Sequence, residues 1–165
     1  MPTIRLCKVA LVAAIAFYFT LVAYGNIADY DSNWQFVRHV LSMDTAFPNS
    51  ALRWRAITDP SMQRFGYWLI IATQAAVALL LWTGVLRLLV CLRSSEFAQA
   101  CSIAVVGLTL AFLLYAVGFV SIGSEWFAMW QSEVWNADMK ALAILAMIAL
   151  VLIILLMPES GRGSG

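Results

Sequence analysis

The sequence predicts an all-α membrane protein with four transmembrane helices in an antiparallel bundle and a short amphipathic helix in the first outer loop. Three observations carry that expectation. Of 165 residues, 63% are apolar and 12% charged, whereas soluble domains lie near a half and a quarter. So much apolar surface needs a solvent other than water. Four uncharged runs are each of the length that crosses a hydrocarbon layer about 30 Å thick, which takes about 20 helical residues. None of them alternates with the period of two that marks a half-buried strand.

The first run, Val9 to Ala28, holds twenty uncharged residues between Lys8 and Asp29. It is long enough to span, and no small-residue cleavage site closes it, so it reads as a retained helix at about 6–28 and not as a signal peptide. An outer loop, 29–64, follows. Between Arg64 and Arg87 lie twenty-two uncharged residues, Phe65 to Leu86, which places the second span at about 65–92. Glu96 and Glu125 bracket twenty-eight more, Phe97 to Ser124. This third span, 97–124, exceeds what a bilayer requires and is expected to tilt or protrude. After a second outer loop, 125–136, the fourth span at 137–157 contains Ala141 to Met157 and is closed by Pro158. Trp135 and Asn136 are expected to lengthen that helix into the interface. The whole chain, 1–165, reads as one membrane domain ending in a flexible GRGSG.

Aromatic residues support these limits. Tyr24, Tyr67, Trp68, Trp126, Trp130 and Trp135 gather at the span ends of one side, where amphipathic rings prefer the headgroup layer. Trp82 marks the opposite side. Basic residues are split evenly between the two sides, with Arg162 and Glu159 on the side of the termini. Arg5, Lys8, Arg87 and Arg93 sit directly beside spans, however, and such positions set orientation. Both termini are therefore expected in the cytoplasm.

The loop residues Asp31, Ser32 and Asn33 offer N-caps for a helix from Trp34 to Met43. Gln35, Arg38, His39 and Ser42 form its polar stripe, and Trp34, Val37, Val40 and Leu41 its apolar remainder. Such a helix would close the outer end of the bundle or present a docking face. His39 is the only histidine, and the three cysteines, Cys7, Cys91 and Cys101, form no CxxC pair. No metal or cofactor is expected from so few ligands. Arg53 and Arg55 flank Trp54 in what reads as an interfacial turn, ion-paired to Asp44 or Asp59. The net charge of +1 and scattered arginines exclude nucleic acid as a partner.

Within the spans full charges are nearly absent, so Gln74 stands out. An amide inside hydrocarbon must find a partner on another helix or in a cavity. Ala104, Gly107, Ala111 and Gly118 form a small-residue helix-packing face on the third span, with Ala10 and Ala14 or Ala72 and Ala76 as its counterparts.

The loop segments are the most distinctive text of the chain: NWQFVRHVLSMDTAF at 33–47, PNSALRWRAIT at 48–58, GYWLIIATQA at 66–75 and GSEWFAMWQSEVWN at 123–136. Together these resemble a family of predicted small integral membrane proteins of bacteria, catalogued as a domain of unknown function. The resemblance covers nearly the whole chain and implies a four-span inner-membrane protein, with no reaction attached. It also implies a glutamate in the second span where this chain has Gln74, which argues against a proton-coupled role here.

Paired histidines, outward cysteine pairs and a nucleophile beside a base are all missing, so the sequence favours a non-catalytic accessory or assembly subunit of a larger bacterial inner-membrane complex. It would contact lipids and a protein partner. The alternative is a small transporter or a lipid- or quinone-binding protein. Candidate contacts for partner or ligand are Trp34, Arg38, His39, Trp54, Gln74, Tyr115, Glu125, Trp126 and Trp130. Orientation is directly testable in a cysteine-free background. A cysteine at position 54 is expected to react with an impermeant maleimide from outside the cell, and one at position 94 only after permeabilisation. The reverse pattern would invert the topology.

Overall fold

The structure, a computed structural model, describes residues 2–158. Glu159, Arg162 and the GRGSG tail of the sequence reading lie outside the described residues. Within them the chain is helical with no strand. The elements are α1 (Pro2–Ala28), α2 (Tyr30–Ser42), α3 (Pro60–Val90), α4 (Phe97–Trp126) and α5 (Asp138–Leu156). α1, α3, α4 and α5 are long and apolar enough to cross a membrane. They run alternately up and down. α3 packs along both α1 and α4, and α5 lies against α4 and touches α1.

Helix ends explain where the observed boundaries depart from charge counting. α3 starts at Pro60 because Asp59 accepts hydrogen bonds from the amides of Ser61 (2.8 Å) and Met62 (2.9 Å). Proline suits the first helical position, where no amide is required. At about 1.5 Å per residue its 31 residues reach about 46 Å, more than a hydrocarbon layer about 30 Å thick requires. α2 lies against its first half, with Val37 on Tyr67 and Ile71. It begins at Tyr30, one residue after α1 ends, and not at the caps expected at Asp31, Ser32 or Asn33. α2 stops at Met43, whose φ of 51° is left-handed. α5 begins at Asp138, so Trp135 and Asn136 do not extend it. Asn136 instead accepts from the Asp138 amide at 2.9 Å and ends the loop.

α4 changes character part-way. It is α-helical over Phe97–Leu113 and π-helical over Leu114–Trp126. The Ser121 hydroxyl donates to the Ala116 carbonyl and the Phe127 amide to that of Ile122, both five residues back. Elsewhere in the bundle, Thr20, Thr73 and Thr83 reach carbonyls four residues back. Extended π-helix is rare, and its wider turn shifts every side chain that follows. Ala104, Gly107 and Ala111, before the change, are buried against neighbouring helices, whereas Gly118, after it, is half-buried.

α3 and α4 approach closely. A Cβ at Gly84 would lie 2.8 Å from the Ala104 Cβ and 3.0 Å from its backbone, and one at Gly107 would lie 2.8 Å from Leu81. Ala10, Ala14 and Ala72 face outward and Ala76 is half-buried; α1 packs instead through Val12, Ile15, Ala16 and Phe19. Close van der Waals contact of this kind holds helices together where lipid removes the hydrophobic drive between them.

At the end bearing the termini, α1 supplies cations to the ends of its neighbours. Lys8, only 6% exposed, donates to the carbonyls of Leu155 (3.2 Å) and Met157 (2.7 Å) at the close of α5. Arg5 donates to Leu92 and Ser94 in the turn after α3 and lies 4.8 Å over the Phe97 ring. Helix C-termini leave carbonyls unpaired and carry partial negative charge, so a cation serves both needs.

The packing generates a paired expectation for unfolding in mild detergent. Gly84→Ala should destabilise by about 1–3 kcal/mol through overpacking. Gly25→Ala, whose added methyl meets nothing within 4 Å, should be neutral or stabilising by up to about 1 kcal/mol from helix propensity. Equal effects would contradict the close approach of α3 and α4.

Candidate functional site

A buried pair of side-chain amides sits at the loop end of the bundle, beneath α2. Asn26, in the last turn of α1, donates to Gln74 of α3 at 2.6 Å, with Asn26 8% and Gln74 2% exposed. One bond between two amides uses one carbonyl and one NH2 group. The other carbonyl and the other NH2 stay available, whichever way each amide is turned. Among the described residues neither amide side chain has another bond. Tyr67, 1% exposed, donates to the Asn26 carbonyl at 3.0 Å and so satisfies one of α1's unpaired C-terminal groups. Rings of Tyr30 and Trp34 pack on Tyr67 at 4.9 and 6.2 Å, fastening α2 to α3.

A cavity of about 300 Å³ opens beside this pair, lined by Asn26, Gln74, Tyr18, Tyr67, Tyr115, Trp135 and Lys140 among others. The Tyr18 and Tyr115 hydroxyls meet at 3.4 Å, so one of the two O–H groups remains free to donate. Lys140 is exposed at the rim. Among the described residues no carboxylate, histidine or cysteine lines the cavity. Its chemistry is that of hydrogen-bond donors and acceptors on an apolar wall, which suits holding a ligand more than proton transfer or covalent attack.

The expected site residues divide. Gln74 and Tyr115 come together in the cavity. His39 stands behind it, with Nδ1 at 2.7 Å from Asp44 and its ring stacked 4.8 Å from that of Trp135. Arg38 and Trp34 border a separate surface hollow with Arg64. Trp54 and Trp126 pack edge-on around Arg55, and Trp130 meets Phe47. Glu125 is exposed. The ion pairs expected for Arg53 and Arg55 are not formed. Arg55 donates to the Trp126 carbonyl at 3.2 Å, while Asp44 takes His39 and Asp59 caps α3.

Asn26, Tyr18, Tyr67, Trp135 and Lys140 were missed by the sequence reading. Asn26 carried a usable signal, being an amide inside an uncharged run just as Gln74 is. Tyr67 was mistaken for a headgroup anchor, because its position near a span end does not reveal that α2 covers it.

Four apolar helices enclosing a polar cavity define a polytopic membrane protein. The chain belongs to the family described as predicted small integral membrane proteins (DUF2165), whose model matches residues 4–158. No curated protein and no solved structure matches it.

A double-mutant cycle tests the amide pair. Asn26→Leu and Gln74→Leu should each cost about 1–3 kcal/mol, because either leaves a buried polar group alone. The double change should cost clearly less than the sum. Strict additivity in thermal unfolding would show that the two amides do not depend on each other.

Proposed function

We propose that this protein binds one membrane-dissolved molecule in the cavity beneath α2, with the molecule's head accepting hydrogen bonds and carrying little charge. The observation that carries this reading is the buried Asn26–Gln74 pair, which keeps donor and acceptor capacity beside an open space. Polar groups inside a membrane protein are costly and tend to mark a functional site. The tyrosine hydroxyls add a donor, and Lys140 supplies one cation at the rim, too few for a multiply charged anion. Further along the bundle Phe19, Leu81 and Leu108 are fully buried, which supports binding over passage through the protein.

An accessory role in a larger bacterial inner-membrane complex, with both termini in the cytoplasm, is the second reading. It is favoured by the aromatic group around Arg55, where Trp54 is 73% exposed. Large exposed aromatics of this kind anchor partners as well as headgroups.

Purification from native membranes in mild detergent, solvent extraction and mass spectrometry separate the two. The binding reading expects one non-phospholipid species in near-equimolar amount, reduced roughly tenfold by Gln74→Leu, the loss that about 1.4 kcal/mol of binding energy produces. Bulk lipids alone would overturn it, and a stoichiometric protein partner in their company would carry the assembly reading.

A further inference from the structure

Beside the polar cavity lies a larger groove of about 540 Å³ between α3, α2 and the π-helical half of α4. Its walls are Leu, Ile, Val, Phe and Met side chains with three glycines, Gly66, Gly118 and Gly123. The one hydroxyl on it, that of Thr73, is already committed to the Leu69 carbonyl at 2.7 Å. Along α4 the groove runs from Leu110 to Gly123, less than about 20 Å, because the π-helical part rises less per residue than the 1.5 Å of an α-helix. It is therefore long, apolar and without a polar group of its own to satisfy.

The groove and the cavity are not independent. Phe36, Val37, Ile70 and Phe119 line both. Phe119 stacks on Tyr115 at 4.9 Å, so a ring that lines both spaces rests on one that lines the polar cavity. The π-helical turn puts the two rings there, and such turns are frequent at functional sites. The glycines keep the groove open. A Cβ at Gly118 would meet only Leu114 at 3.6 Å, and one at Gly66 only Leu41 at 3.6 Å.

We propose that this groove holds the single hydrocarbon tail of the molecule whose head occupies the polar cavity, and that the molecule is of the prenylated quinone class. The inference rests on the cavity reading above and adds the tail site and the ligand class. A quinone ring presents uncharged carbonyl acceptors to the amide and tyrosine donors. A phospholipid would bring a phosphate, for which the cavity offers, among the described residues, Lys140 alone as a cation.

The test uses full-length protein in lipid nanodiscs, with quenching of tryptophan fluorescence by a tailless benzoquinone and by the same ring bearing a decyl tail. Comparing each ligand between wild type and Gly118→Leu cancels the partition of the tailed one into lipid. The expected result is unchanged binding of the tailless ring and at least roughly tenfold weaker binding of the tailed one in the variant. Gly66→Leu fills the opposite wall and should give the same pattern if Gly118→Leu does not fold. Binding of the tailed ligand that ignores both substitutions, while the tailless ring still binds, would overturn the tail site and leave the cavity reading standing. A tailless ring that fails to bind wild type would overturn the cavity reading and the ligand class with it.

Discussion

Everything polar in this bundle is arranged by one constraint: in hydrocarbon, hydrogen-bonding groups must be satisfied by the protein itself. α1 bears much of that duty. At one end Lys8 meets the carbonyls that end α5 and Arg5 those of the turn after α3. At the other, Asn26 meets Gln74 and Tyr67 covers the Asn26 carbonyl. The two ends differ. Backbone carbonyls met by cations close the terminal end, whereas two side-chain amides sharing one bond leave capacity at the loop end. That surplus exists only because α2 shields it, through Val37 packed on Tyr67 and Ile71.

The change from α- to π-helix in α4 links packing to the site. Before it, Ala104 and Gly107 bring α3 and α4 together as closely as backbones allow. After it, the wider turn releases α4 from that contact and leaves a cleft at the level of Gly118. The neighbouring loops are held by a small second core of Met43, Ala46, Phe127 and Ala128. Met43 and Ala128 both adopt left-handed φ of 51° without being glycine, a conformation that surrounding packing must impose.

Four spans, their alternation and the helical class were legible because uncharged length is a physical requirement of crossing a membrane. Gln74 was legible by the same logic, as an amide with nowhere to go. Asn26 lies in an uncharged run of the same kind, but near a span end, where polar residues are common and name no partner. The small-residue stripe was projected with an α-helical period through Gly118, and no sequence feature marks the π-helical turn that breaks that period at Leu114. Arg53 and Arg55 were paired with aspartates on charge alone, whereas the structure gives them carbonyls and tryptophan faces. Which carboxylate caps a helix and which meets a cation depends on backbone geometry that composition does not carry.

The central claim is that the Asn26–Gln74 pair joins α1 to α3 with part of its hydrogen-bonding capacity and turns the rest toward a cavity. Side-chain amide NMR of nitrogen-labelled protein in nanodiscs reads this directly. The account predicts that the Asn26 and Gln74 amides exchange slowly with solvent, and that one of them shifts when a tailless benzoquinone is added. Solvent-like exchange at both, with no response beyond that of the exposed Gln99 amide, would contradict it.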